Sequence, residues 1–556
     1  MKQILSGISA ILNSREKIKL YKLIVFDLVI GMLDIAFLAM LLFVLNLYTK
    51  NAAPAKILFL PQALLNPGSL LLIGIFFILF SIKNWFGFTG LKSQHHFFYN
   101  VASRLSKRNL LNFLSDDYSR FVTIDSSVLV RRISQQPIEF SHYILTNFQQ
   151  IVSQIILIFF TICAILFYHP SLFLLLFVLL LPPVVLLGWY IRKKLKDVRS
   201  QVKITSEKTL QHLHEALAGY VESNIYHKEG FFTDRYSGYQ DQLNENIATQ
   251  QTLQSLPSRL VEIFAVLGFL ILVVINKLSA DAPAINMLTI GVFMAAAYKI
   301  IPGIVKILNC TGQIKTYQFT LTDLLPDNTK TSPAKDEKPS QPIRSISYQN
   351  ICFKYKQHLV LNDLSFEVIP GDLVGISGNS GKGKTTIINL MLGFLTPDSG
   401  NISINEKICD ADELALYRNR ISYVKQQPFF INDTILKNIT LSEYDHYPNK
   451  RREAIALSGV DKLLDKYPEG FEKVINENGK NISGGQRQRI MLARALYHDF
   501  DLLILDEPFS EMDGVSENEI LKQLQVLAGQ GKMILFITHN KGSLSYCNKI
   551  IAIDEA

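Results

Sequence analysis

The chain has 556 residues, among them 35 Phe and 22 Tyr, and only 19% are charged, while its mean hydropathy is positive. That length suggests two to four domains, and a composition so apolar excludes an ordinary soluble enzyme and a disordered chain and places part of the protein in lipid. The net charge of +8 would suit nucleic acid, but the Lys and Arg of the N-terminal half lie beside apolar spans, so a membrane accounts for them better and no nucleic-acid partner is expected.

Residues 1–20 place Ile4, Ile8, Ile11 and Leu12 on one helical face, which predicts a helix lying on the cytoplasmic membrane surface rather than a signal peptide. Six apolar runs follow, near 23–47, 70–86, 151–168, 171–190, 260–275 and 285–308. Each approaches the roughly 20 residues a helix needs to cross hydrocarbon. Lys2, Arg15, Lys17, Lys19 and Lys22 precede the first run, and further Lys and Arg fill the second-to-third and fourth-to-fifth connections, against Lys50, Lys56 and Lys277 on the other side. The positive-inside rule then puts both termini in the cytoplasm of a multi-pass protein of the inner (plasma) membrane.

The two cytoplasmic connections, about 87–150 and 191–259, carry apolar residues at helical spacing, as in Leu210, Leu213, Leu217 and Val221, so the spans are expected to continue far beyond the bilayer. Asp34 falls near mid-membrane in the first span, Lys83 towards the inner end of the second and Lys299 in the inner half of the sixth. Charges at such depth either serve function or pair structurally, and lysines lining an inward cavity would favour an anionic head group. Residues 323–344, with Pro326, Pro333, Pro339 and Pro342 among polar residues, read as a flexible linker. The chain thus divides into a membrane domain (1–322), that linker, and an α/β domain (345–556) of alternating short strands and helices. Its five cysteines have no metal-ligand spacing.

Within the last domain, 378–385 reads Gly-Asn-Ser-Gly-Lys-Gly-Lys-Thr, between a strand-like run (373–376) and a helical one (386–395), the context of a phosphate-binding loop. The backbone N–H groups of Gly378, Asn379, Ser380, Gly381, Lys382 and Gly383 can wrap β- and γ-phosphates, Lys384 adds a point charge, Thr385 can hold Mg²⁺, and the helix opening at Thr386 adds its dipole. The buried-strand pattern at 502–507 ends in two carboxylates: Asp506 would ligate Mg²⁺, and Glu507 would orient and polarise the attacking water.

With those residues in place, the chain resembles an ATP-binding cassette (ABC) exporter half-transporter over essentially its whole length. Residues 482–486, Ile-Ser-Gly-Gly-Gln, are similar to the family signature. The resemblance implies that Ser483, Gly484, Gly485 and Gln486 cap the γ-phosphate of ATP held by the opposite subunit of a homodimer. It implies further that Tyr355 stacks on adenine, that Gln426 senses Mg²⁺ and the attacking water, that His539 contacts the γ-phosphate, that Asp513 lies in the loop linking the two sites, and that Glu477 meets the cytoplasmic helices. Segments near 118–123 and 222–228 occupy the places of the family's coupling helices, the second docking on the partner. Ile482 and Glu511-Met512 depart from the usual Leu and Ala-Leu.

The fold so implied is a multi-domain membrane protein, a six-helix all-α transmembrane domain with long cytoplasmic helical extensions followed by an α/β P-loop ATPase domain. The implied activity is ATP hydrolysis with Mg²⁺, coupled to export by alternating access. The sixth span and first cytoplasmic connection are also similar to bacterial flippases of lipid-linked oligosaccharides, which favours an amphipathic or lipid-linked cargo. A processed peptide or a drug is the alternative cargo, and an ATP-gated channel or regulator the weaker alternative function.

Overall fold

The computed structural model describes residues 2–50, 70–115, 118, 124–168, 170–278, 287–325, 341–379 and 381–553. They form two compact units, Met1–Asp116 with Thr123–Thr331, and Asp117–Val122 with Ser332–Ala556. Tyr118, which the sequence assigns to the membrane domain, therefore belongs to the C-terminal unit.

Helices Ser14–Lys50, Leu71–Leu114, Pro170–Ala218, Glu229–Leu278 and Met287–Thr316 dominate the first unit, with a sixth path through Ser126–Tyr168 that is interrupted by π-helical turns at Arg131–Gln135 and Phe140–Thr146. At 1.5 Å per residue the 49 and 50 residues of the two longest helices reach roughly 75 Å, against about 30 Å of hydrocarbon, so most of each lies outside a bilayer. The two pack side by side and are joined by the short helix Tyr220–Ile225. Among the described residues, three stretches are long and apolar enough to span, Ser14–Leu41, Leu71–Leu114 and Ser126–Cys163. Phe77, Trp85, Phe88 and Phe159 are each at least 60% exposed, a surface tenable only against lipid or another apolar partner.

Three expectations are corrected here. The apolar face of helix Lys2–Ile11 does not rest on a membrane surface: Ile4, Ile8, Ile11 and Leu12 are buried with Leu321, Leu324, Phe97 and Phe140. Lipid would offer the same transfer from water, but the protein core adds close dispersion contacts. The linker does not begin at 323, because helix Phe319–Leu324 contains that residue and Leu324 is buried. Asp323 accepts from Lys203 Nζ at 3.0 Å and from Gln136 Nε2 at 2.9 Å, bonds that an extended chain would forfeit. Residues 326–340 of the expected linker lie outside the described residues, and at its far end Ile343 is buried and its N–H donates to Asp501 at 3.0 Å. Finally, Lys83 does not present a free cation: it is buried and donates to Asp34. The side chain of Lys299 lies outside the described residues.

The second unit is built on a five-stranded parallel sheet in the order Lys549–Ala552, Leu373–Ser377, Met533–Ile537, Leu502–Asp506, Ile421–Val424. Its three inner strands are near-continuous apolar runs because both faces are covered, as parallel sheets require. One face packs on a core that includes Ile387, Ile388 and Tyr348, the other on one that includes Ile439, Ile490 and Leu521. A four-stranded antiparallel sheet, His358–Val368, Ile346–Tyr355, Ser399–Ile404 and Lys407–Ile408, flanks the first core.

Candidate nucleotide-binding site

The site forms where three adjacent parallel strands end together. Strand Leu373–Ser377 runs into the glycine loop, Leu502–Asp506 into Glu507, and Met533–Ile537 into His539, so topology delivers three chemical groups to one edge. Gly381 and Gly383 take φ of +83° and +92°, a backbone that only glycine adopts without strain, and Gly383 caps helix Lys384–Met391. Gly378, Asn379 and Lys382 lie along the same loop; Ser380 lies outside the described residues. Thr385 is exposed at the helix mouth whereas Thr386 is buried, so Thr385 carries the available hydroxyl and Thr386 offers the site backbone alone.

Lys384 Nζ donates to the carbonyls of Gly378 at 2.7 Å and Asn379 at 3.1 Å and lies 3.0 Å from His539 Nε2. That same nitrogen lies 3.0 Å from Glu507 Oε1. An ammonium only donates and a carboxylate only accepts, so His539 Nε2 serves Lys384 when bare and Glu507 when protonated. Gln426 Nε2 donates to the other Glu507 oxygen at 2.9 Å. Glu507 itself takes φ of +49°, a costly backbone for a residue with a side chain, of the kind concentrated at functional sites.

Burial pulls the Lys384 ammonium below the ordinary lysine value, against the opposing fields of Glu507 and Asp506. Burial also pushes the Asp506 carboxyl up, opposed by a hydrogen bond from Tyr423 Oη at 3.3 Å. Tyr423 is in turn raised by burial and by Asp506, with a small contribution from nearby Tyr118. Tyr118 stacks on Phe394 at 4.7 Å with 19° between the planes, and the Arg418 guanidinium lies 4.5 Å from the same ring. Tyr118 thus lies near both Phe394 and Tyr423, and Tyr423 bonds the acidic strand end. Sequence reasoning missed Tyr423 and Phe394.

The other expected site residues are placed as follows. Tyr355 ends its strand half-exposed, edge-on to Phe353 at 4.9 Å. Ser483 caps helix Gly484–Tyr497, and Gln486 Oε1 accepts from the Ser483 N–H at 3.0 Å and from Tyr467 Oη at 3.2 Å, so its oxygen is engaged in its own helix. Asp513 caps helix Gly514–Gly529, accepting from the Ser516 N–H at 2.9 Å and hydroxyl at 2.7 Å, bonds that hold its carboxyl below the usual range. The side chain of Glu477 lies outside the described residues. Among the described residues no cluster of three or more His, Cys, Asp or Glu could hold a metal ion unaided. Thr385, Asp506 and the Gln426 carbonyl form an all-oxygen donor set that fits Mg²⁺ carried on phosphates.

In the membrane unit the structure adds one carboxylate that the sequence reasoning passed over. Asp27 accepts from Gln94, from Gln149 Nε2 at 2.8 Å and from Ser153 Oγ at 3.0 Å. Its spacing of seven from Asp34, two helical turns, was the available signal.

A glycine loop, an acidic strand end and a buried lysine on a parallel sheet define a P-loop ATPase, here following a bundle of very long apolar helices. Residues 20–296 match the family described as ABC transporter transmembrane region, and residues 361–510 the family described as ABC transporter. The chain belongs to the ABC transporter family, with membrane region and ATP-binding cassette fused, and is a membrane protein. Its fold is that of a bacterial Atm1-family ABC exporter solved with ATP bound, at a TM-score of 0.74 over 96% of this chain and 94% of that one, with 18% identity. It is 27% identical to an ATP-dependent lipid A-core flippase of Alkalilimnicola ehrlichii over 65% of this chain and 62% of the relative. A probable ABC transporter ATP-binding/permease protein of Haemophilus influenzae is 32% identical over 38% of each chain. The Lactococcus lactis protein LagD, named for lactococcin-G processing and transport, is 37% identical over 38% of this chain and 30% of its own. The matched part of the chain spans less than two thirds of the length of each of these curated relatives.

Proposed function

We propose that this protein is an ATP-driven exporter or flippase that moves an amphipathic or lipid-linked molecule outward from the cytoplasmic side of the inner membrane, working as a homodimer with shared ATP sites. The observation that carries this is the convergence of Lys384, Gln426, Glu507 and His539 on one sheet edge. Mg²⁺ would be held by Thr385, Asp506 and the Gln426 carbonyl, where it supplies charge neutralisation for the transferred phosphoryl group. Lys384 binds the phosphates, Tyr355 offers its ring to the adenine, and Glu507, steadied by Gln426 and His539, orients the attacking water. The Ser483–Gly485 turn of the partner closes the site.

Support for the dimer comes from the second cytoplasmic tip. Tyr220, Ile225 and Tyr226 are 65–70% exposed, whereas Tyr118 has its aromatic partner within the same chain. An apolar tip of that kind suits the cassette of a second copy. ATP binding draws the cassettes together, and hydrolysis lets them part, so the long helices alternate between inward and outward access.

The lipid-like cargo is favoured by the flippase relatives. The LagD match keeps a processed peptide as the second reading. The test is the purified protein in liposomes, assayed for ATPase stimulation by lipid-linked sugars, peptides and drugs in turn. Stimulation by the lipid-linked class alone is expected; stimulation by peptides alone overturns the cargo assignment.

A further inference from the structure

Strand Ile421–Val424 lies parallel to Leu502–Asp506, with Tyr423 opposite Ile504. Side chains alternate along a strand, so Tyr423, Ile504 and, two positions on, Asp506 share one face of the sheet, the face that carries the core of Ile387 and Ile388. From there the Tyr423 ring reaches past Ile504, and its Oη donates to Asp506 Oδ2 at 3.3 Å. Asp506 is 5% exposed, so bulk water has little access to stand in for that hydroxyl. A donor on one carboxylate oxygen restrains rotation about the Cβ–Cγ bond, and with it the direction of the other oxygen.

Phe394 packs on the same core as Tyr423 and is fixed from the cassette side. Its N–H donates to the carbonyl of Asn389 at 2.8 Å, in the helix opened by Lys384. Arg418 lies over its ring while donating to the carbonyls of Leu392 at 2.7 Å and Gly393 at 3.1 Å. Tyr118, delivered by the connection after helix Leu71–Leu114, stacks on this ring and lies near Tyr423. Resting on the reading above in which Asp506 holds Mg²⁺, we infer that Tyr423 is a positioning residue for that metal ligand, and that Tyr118 seats Tyr423. No change of charge is needed: whether Tyr118 is in place alters how firmly the hydroxyl holds Asp506, and so how well the ATP site takes its metal.

The test uses the full chain in lipid nanodiscs, with Glu507→Gln present throughout to prevent turnover and protein in excess over ATP. Mn²⁺ is the probe, its free concentration read by electron paramagnetic resonance to give a Kd for the ATP-loaded protein. Tyr423→Phe keeps the ring and removes only the hydroxyl. It is expected to raise that Kd about tenfold, the lower end of what removing a group behind a metal ligand costs, while the affinity for a fluorescent ATP analogue in EDTA stays within about twofold of the parent. Tyr118→Ala should raise the Mn²⁺ Kd in the parent and add nothing in the Tyr423→Phe background, because both changes act through one hydroxyl. Unchanged Mn²⁺ binding in Tyr423→Phe overturns the positioning role, and so does an equal loss of metal-free ATP binding, which is what packing alone predicts. Losses that add in the double variant overturn the seating by Tyr118. Asp506→Asn is the reference: if it binds Mn²⁺ as the parent does, the assignment of Asp506 to the metal is what fails.

Discussion

Replacing Lys83 by Met tests whether charge within the spans is structural. Lys83 is 8% exposed and Asp34 29%, the ammonium donates to the carboxylate, and the Phe80 ring lies 5.0 Å from Nζ. Lys83→Met leaves the Asp34 carboxylate facing hydrocarbon without this cation, at a cost of about 2.5–3.5 kcal/mol on insertion scales. At about 2–4 °C per kcal/mol, that lowers the apparent melting temperature by roughly 5–14 °C. Asp34→Asn should cost a similar amount by stranding the ammonium. Lys83→Met with Asp34→Asn should recover to within about 1 kcal/mol of the parent, because a buried pair replaced by neutral groups of similar volume is close to break-even. Thermal unfolding in detergent, followed by the fluorescence of Trp85 and Trp189, reads this directly. If the double variant is as unstable as the two singles summed, the charges do not answer each other. If Lys83→Met melts normally but loses cargo-stimulated ATPase, the lysine serves transport.

Other perturbations address the cassette. Glu507→Gln should leave ATP binding and dimerisation intact while lowering turnover by about 10³-fold, the scale of losing a positioned base; an unchanged ATPase rate discards its assignment. Tyr118→Ala removes the stack on Phe394, worth about 0.5–1.5 kcal/mol beyond its burial. It should cut stimulated ATPase more than basal ATPase in liposomes, and equal loss of both would argue against coupling through that ring. Asp506 is raised by burial, so its charged form is disfavoured in the fold, and the stability it contributes when protonated is lost as pH rises through its raised value. Asp506→Asn should therefore melt higher than the parent at neutral pH without nucleotide, with the gap closing below about pH 4, while Mg²⁺-dependent turnover is lost. Arg494, brought down to about 10 by burial yet still charged at neutral pH, donates to the carbonyls of Asn438 at 2.6 Å and Phe429 at 2.9 Å. Arg494→Ala should destabilise the cassette by about 3 kcal/mol, seen as loss of the nucleotide-protected melting step.

The nucleotide site was legible in the sequence because its logic is local. The glycine loop is eight consecutive residues whose spacing is imposed by the phosphate they wrap, and the acidic strand end announces itself by four buried apolar positions before Asp506 and Glu507. Helical continuation of the spans was legible for the same reason, since apolar spacing is a one-dimensional record of a helix face. Wherever the partner lies far along the chain, that record is silent. Nothing in residues 1–12 says that Leu321 covers them, and nothing in Asp27 points to Gln94, Gln149 or Ser153. Sequence alone determined which chemistry the chain can perform, because reactive groups and their spacing are written in order. Tertiary structure decided which charges answer one another and which apolar faces are already covered, because those depend on approach through space between segments whose separation along the chain carries no information.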